Sequence, residues 1–415
     1  MKKAVLLDFA SEVNRGDAIM QEVFYQHCQD TLGVDEISVV SVYGKNQDYD
    51  SPKHFDLSSR FNPKIFANLR NSGNKLEGSS RSSKLGNVLN LFVSLLQLLN
   101  LLIFRRFVGR PDQSELAKEI READYVIWNG RNFRNRRGIG ELYDILCMSV
   151  SPMIAVILGR RPVTIGVSIW PLRMKSSKFI LRFVLSKCEF VSCRESESFS
   201  YANNVLGLEN TRLDPDLSFA SMPFNGLKRA DDPDMKTMYI TLVDWDEDGE
   251  QVRQDYINAI GEAIRWGNEN EFSVTIVPQV HFQWEDYRAL LPELEKFGDF
   301  SKLEKSLEHE ELLELYRNGS ILIATRMHSA IFALSEGCKV LAISYDSGAK
   351  WNILTDAGLP KKYLCQMQNV GQVNMPALLR DINNDSAYWQ DIVPGYLDNK
   401  KKVEAPFLET LRINS

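Results

Sequence analysis

A chain of 415 residues exceeds the roughly 250 to 300 at which a single hydrophobic core stops growing, so two domains are expected. Hydrophobic content of 44% and charged content of 25% are those of an ordinary globular protein, and a net charge of −6 with no long basic run excludes a nucleic-acid binder. Cys28, Cys147, Cys188, Cys193, Cys338 and Cys365 lie scattered in apolar segments without CxxC spacing, the pattern of buried thiols in a reducing compartment and not of a disulfide frame or zinc site.

In chain order, MKKAVLLDFA is broken by Asp8 and followed by no small-residue cleavage site, so it predicts a first β-strand and not a signal peptide. NRGDAIMQEVFYQHCQDTLG predicts a glycine-containing turn and an amphipathic helix ending near Gly33. Asp17 sits where an N-cap sits, and two readings are open for it: a cap for the helix N–H groups, or a hydroxyl binder or base facing a cleft. EISVVSVY is the next strand, and the polar stretch from Gly44 to Ser83 reads as a loop or insertion. The run 88–104, VLNLFVSLLQLLNLLIF, spans only about 25 Å as a helix, short of a bilayer's roughly 30 Å core. It is either a core or interface helix, or a helix lying in a membrane surface, helped by Arg81, Lys84, Arg105, Arg106 and Arg110.

SELAKEIREA is a helix, ADYVIWNGRNF a strand entering a glycine-bearing loop after Asn129, and GELYDILCMSVSPMIAVILG one further helix. PVTIGVSIWP is a strand, SSKFILRFVLSKC a basic amphipathic helix, CEFVSC a strand ending on Arg194, and ESESFSYANN a helix with acids in its first turn. The Pro, Gly and Asp content of SMPFNGLKRADDPDMK marks a linker, which divides the chain into domains at 1–224, with an insertion at about 44–110, and 236–415. The second half repeats the alternation: TMYITLVD, a helix near Glu250 to Trp266, FSVTIVP, a helix near Glu285 to Lys296, HEELLELYRNG, and the unit ILIAT, MHSAIFALSEG, KVLAISY. Strands alternating with helices imply parallel doubly wound sheets, hence an α/β fold of two Rossmann-like domains facing across a cleft.

The chemistry concentrates at strand-to-helix junctions. A ligand in such a unit sits beyond the strand's carboxyl end, against a helix start that favours an anion. Arg326 and His328 fall at that junction in the second half, the first a planar fork for carboxylate or phosphate, the second a hydrogen-bond donor or proton carrier. The competing reading pairs Arg326 with an acidic neighbour and leaves His328 as packing. Arg194 occupies the equivalent place in the first half, so closing two domains would bring both arginines to one anion. His281, after VTIVPQ, is either a cleft residue or a loop histidine.

NRGDAI, GVSIWP, RESESF, DPDLSF and TRMHSAIFAL, with KVLAISY after the last, resemble in order and spacing the polysaccharide pyruvyltransferase family, including the colanic acid type. The resemblance implies a GT-B-like architecture and transfer of the pyruvyl group of phosphoenolpyruvate onto a sugar of a surface polysaccharide as a ketal. It implies donor binding by Arg194, Arg326, Met327 and His328, catalysis by Arg194, Arg326 and His328, and acceptor contacts from Asp17, Asn129, Glu195 and His281. No metal and no cofactor beyond the donor substrate is expected. The implied partner is a lipid-linked oligosaccharide or polysaccharide acceptor, and the expected location is the cytoplasm, peripheral to the inner face of the plasma membrane through 88–104. The chain departs from the pattern at Asn129 before Gly130, where a paired glycine is common, at Trp170 in place of a glycine, and in the lysine after the tyrosine, which arrives only at Lys350. A sugar-nucleotide glycosyltransferase of the same fold and a catalytically silent glycan-binding protein are the alternatives.

Overall fold

The computed structural model of the chain describes residues 1–9, 15–41, 54–56, 103, 111–130, 132–135, 138–220, 236–245, 248–279, 286–304, 307–345 and 349–414. The expected linker at 221–235, His281, Arg131 and all of the apolar run 88–104 except Ile103 lie outside the described residues.

The first sheet contains β1 (Lys3–Phe9), β2 (Glu36–Ser41), β3 (His54–Asp56), β4 (Tyr125–Asn129), β5 (Asn132–Phe133), β6 (Val163–Ile169), β7 (Val191–Cys193) and β8 (Thr211–Leu213). They run parallel in the order β3-β2-β1-β4-β6-β7-β8, with β5 beside β6. Continuous apolar strands of this kind bury both faces. In β1, Ala4 and Leu6 join one core while Val5 and Leu7 join the other. Helix α1 (Arg15–Asp30) covers the first face with Ile19, Val23, Phe24 and Cys28 at helical spacing. Five helices, α2 (Pro111–Glu122), α3 (Ile139–Met148), α4 (Val150–Ile157), α5 (Lys175–Leu185) and α6 (Ser196–Asn204), contribute to the second.

The segment expected as one helix at 139–157 is two, bent by 45° at Ser149. Pro152 lacks the N–H that would continue the ladder, and Ser149 Oγ donates to the Ile145 carbonyl at 2.6 Å, closing the first helix. No single helix among the described residues is long and apolar enough to cross a membrane; the bent pair passes on composition, yet its Ile145, Val150, Ile154, Ala155 and Ile157 are buried in the core of the first domain.

The second sheet, β9 (Thr237–Thr241), β10 (Ser273–Ile276), β11 (Ser301–Lys302), β12 (Ile321–Ala324), β13 (Lys339–Ser344) and β14 (Leu364–Gln366), runs in the order β11-β10-β9-β12-β13-β14, all parallel. The order reverses between β9 and β12 here, and between β1 and β4 in the first sheet, so each domain has a topological switch point where loops diverge to leave a crevice. Around this sheet lie α7 (Glu250–Glu269), α8 (His309–Arg317), α9 (Met327–Ser335), α10 (Asn352–Asp356) and α11 (Met375–Asn384). The helix expected over 285–296 is a 3-10 turn, Asp286–Leu290, running into a single α-turn, Leu291–Leu294.

Two further helices, α12 (Trp389–Lys402) and α13 (Ala405–Asn414), return to the first domain. Phe407 packs its ring 5.6 Å from Phe24 and 4.6 Å from His27, Tyr396 meets Phe219 at 4.9 Å, and Thr31 donates to Glu404 at 3.0 Å. One continuous apolar cluster therefore runs from α1 into the second domain.

Candidate functional site

Strand β12 is wholly buried and central, which fixes the position of the residues at its carboxyl end. Thr325 extends it by donating its N–H to Thr241 Oγ1 at 3.0 Å, and Arg326 then stands in extended conformation as the N-cap of α9. A guanidinium has no acceptor to offer first-turn N–H groups, so this helix start lacks the usual side-chain cap and keeps its preference for an anion. Met327 is buried in the first turn, and His328, one residue on, is mostly buried with its ring stacked 6.3 Å from Phe332.

In the first domain a bulge sets the geometry. Gly166 interrupts β6 at φ +78, so Val163 and Ile165 face one core while Val167 and Ile169 face the other. Ser168 consequently turns to the face opposite that second core, where its Oγ accepts from Arg194 Nε at 2.7 Å and donates to Glu195 Oε2 at 3.0 Å. Gly130 must be glycine, because a Cβ there would lie 2.2 Å from the Gly166 backbone. Asn129, just before it, is buried at the end of β4.

Arg194 ends β7 and donates from Nη1 to Asp216 Oδ2 at 2.9 Å, with both side chains buried. Its Nη2 group makes no hydrogen bond among the described residues. Asp216 is held on its other oxygen by Ser218 N–H at 2.9 Å and Ser218 Oγ at 2.6 Å. Burial opposes its charge, but Arg194, His328 and the Ser218 bonds outweigh burial and hold the carboxyl below its ordinary value. Glu195 goes the other way: burial pushes it up to about 7 against the pull of Arg194 and of hydrogen bonds from Ser198 and Ser168. Two buried carboxyls side by side are thus driven apart in acidity, the arrangement that assigns acid and base roles.

The domains meet at this network. His328 Nε2 stands 3.9 Å from Asp216 Oδ1, outside direct hydrogen bonding but close enough for Asp216 to serve as a counter-charge. From the other side Gly16, in the first turn of α1, backs onto the same ring so closely that a Cβ would sit 1.8 Å from Nδ1. The start of α6 is capped by the opposite domain: Ser196 N–H and Oγ donate to Asp356 at 2.8 and 2.9 Å, and Asn352 donates to Glu197 at 2.6 Å.

Among the expected site residues, Arg194 and His328 are brought together through Asp216, Glu195 joins Arg194 through Ser168, and Arg326 and Met327 stand at the start of α9. Asp17 lies inside α1 and not at its cap, since the helix begins at Arg15, and its side chain is outside the described residues, as is all of His281. The displaced Lys350 folds back onto Tyr345, donating to its hydroxyl at 2.6 Å. Trp170 is buried beneath Arg134, whose guanidinium lies 5.7 Å from the indole ring. Asp216, Ser168 and Gly16 stand in the stretches DPDLSF, GVSIWP and NRGDAI, which do not show what each side chain meets, and nothing in the sequence points to Asp356. Among the described residues no group of three or more His, Cys, Asp or Glu is arranged to hold a metal ion, and all six cysteines are free thiols.

Solved structures share this two-domain arrangement over the whole chain. UDP-GlcNAc 2-epimerase of Methanocaldococcus jannaschii, in complex with UDP-GlcNAc and UDP, aligns with a TM-score of 0.53 at 12% identity, covering 100% of this chain and 99% of that one. Trehalose 6-phosphate synthase of Burkholderia multivorans gives 0.56 at 9% identity over 100% and 99%. UDP-GlcNAc 2-epimerase of Neisseria meningitidis, bound to UDP-GlcNAc, gives 0.51 at 12% over 100% of both. At such identities the likeness is one of fold, the GT-B architecture expected above. No curated protein matches the chain. A family model described as polysaccharide pyruvyl transferase matches residues 14–347, most of the chain, and on that match the chain belongs to the polysaccharide pyruvyl transferase family.

Proposed function

We propose that the enzyme takes its pyruvyl group from phosphoenolpyruvate and sets it as a ketal across two hydroxyls of one sugar in a lipid-linked oligosaccharide repeat. The observation that carries this reading is the cross-domain array at the start of α9, where Arg326 stands as an acceptor-free cap beside His328, with Asp216 and Arg194 behind it. Phosphoenolpyruvate presents a phosphate and a carboxylate. Arg326 and the first-turn N–H groups of α9 are assigned to one, and the Nη2 group of Arg194 is assigned to the other.

Ketal formation begins with a proton delivered to the methylene carbon of the donor, which leaves positive charge at C2. One sugar hydroxyl attacks C2 and loses its proton, phosphate departs with the bridging oxygen, and the second hydroxyl closes the ring and loses its proton. In the net balance one hydroxyl proton resides in the new methyl group and the other leaves with phosphate. His328, with Asp216 as counter-charge, is assigned delivery of the first proton or polarisation of the phosphate. Glu195, poised near neutrality, is assigned the hydroxyl protons, directly or through Ser198. Asn129, buried at the end of β4, is assigned to the acceptor. The work is done in the cytoplasm, at the inner face of the plasma membrane.

The test is phosphate release from phosphoenolpyruvate by purified protein, with and without extracted repeat units. Release that depends on the acceptor is expected, and His328→Asn should lower turnover by at least about 10²-fold while donor affinity holds, since asparagine donates a hydrogen bond but carries no proton. Release of nucleotide from a UDP-sugar with phosphoenolpyruvate untouched would overturn the reading in favour of glycosyl transfer; glycan binding without turnover would favour a silent binding protein.

A further inference from the structure

Helix α5 presents an outer face that none of the described residues covers. Its inner face, Ser177, Leu181, Val184 and Leu185, is buried against the first domain. On the outer stripe Phe179 is 71% exposed and Phe183 44%, and they are the only phenylalanines among the described residues left exposed. One turn apart on the same stripe, they project side by side from a helix about 16 Å long. Ile139, 78% exposed, joins them at the helix start, where Glu141 two residues later accepts the N–H groups of Arg173 and Met174 at 2.8 Å each.

Charge along this segment has one sign. Between Pro171 and Cys188 there are five cations, Arg173, Lys175, Lys178, Arg182 and Lys187, and no acid, in a chain whose net charge is −6. None of the five is ion-paired among the described residues, and Lys187 lies 5.4 Å over the Phe183 ring. Aromatic rings on a helix face rimmed by unpaired lysine and arginine are complementary to an interface with apolar depth below and anionic groups above. A protein groove would instead be expected to meet the charges with acids in pairs.

We infer that α5, with Ile139, is a docking surface for an anionic phospholipid bilayer, lying in its interface with Phe179 and Phe183 inserted below the headgroups. The site is distinct from the run 88–104 and does not depend on which acceptor the cleft takes. Because α5 starts a few residues after Trp170, where β6 opens into the cleft, docking this face would hold the cleft beside the lipid surface.

Flotation of the full chain with phosphatidylcholine vesicles, alone or mixed with phosphatidylglycerol, tests this. Binding is expected only with phosphatidylglycerol and should decline as salt is raised. Lys175→Gln with Arg182→Gln should weaken it about 25-fold, at about fivefold for each cation lost near the surface. Phe179→Ser with Phe183→Ser should weaken it at least about tenfold, with melting temperature unchanged because both rings are exposed. Absence of flotation in the parent, or flotation that survives both double variants, would overturn the assignment. A dimer that the phenylalanine variant dissociates, without vesicle binding, would give the face to a second copy of the chain and overturn it as well.

Discussion

Position 16 has room for a hydrogen and nothing larger, because the His328 ring occupies the volume a Cβ would take. Gly16→Ala should therefore displace the imidazole, and a shift of about 1 Å at a reacting group costs about 10²-fold in turnover. Equal kcat in parent and variant would show that the ring's position does not matter to the reaction. Glu195 makes a prediction in pH. Burial raises the pKa of its carboxyl from 4.5 to about 7, so the folded state holds a proton that the unfolded chain has released, and stability falls as pH rises between those values and is level above. Urea melts should show a decline on the order of 3 kcal/mol across that window, flattened in Glu195→Gln, which cannot ionise. The same decline in both proteins would assign it to another group. Arg194, Arg326 and His328 were legible in the sequence because each stands in a motif at a strand-to-helix junction. Asp216 was legible only as a member of DPDLSF, since its pairing with Arg194 and its place beside His328 exist only once two loops and two domains have met.

Among the elements, α6 begins in one domain and is capped from the other, a role helix starts ordinarily fill with a residue of their own chain segment. Asp356→Ala should remove that cap, cost about 1 kcal/mol and speed hydrogen exchange at the Ser196 amide, while leaving exchange in buried β12 unchanged. Unchanged exchange at Ser196 would mean the domains hold together without this contact. Strands such as β1 and β12 and helices such as α1 were legible because burial on both faces or on one stripe writes itself into hydrophobic spacing. The bend at Ser149 was less so: Pro152 announces a break, but 139–157 is largely apolar and its periodicity runs on across it. The bulge at Gly166 left no periodic trace either, because its effect is to exchange the faces of Ser168 and its neighbours.

At the scale of the molecule, two parallel sheets with matching switch points could be read from the alternation of strands and helices, whereas the return of α12 and α13 to the first domain could not. Their amphipathic pattern says that one face is buried and is silent about where. Phe407 is fully buried between Phe24 and His27, so Phe407→Ala should destabilise the fold by about 3 to 5 kcal/mol, measured by urea unfolding with a signal from the first domain. A loss confined to the second domain's transition would contradict the packing described. This return also sets an order of events during synthesis. Phe24 is translated before the second domain and its covering ring at 407 after most of it, so on the ribosome that side of α1 lacks its cover while almost the whole second domain is made. For that interval Phe24 and His27 leave an apolar patch open to whatever meets nascent chains, and the patch closes only when residues 389–414 have cleared the exit tunnel.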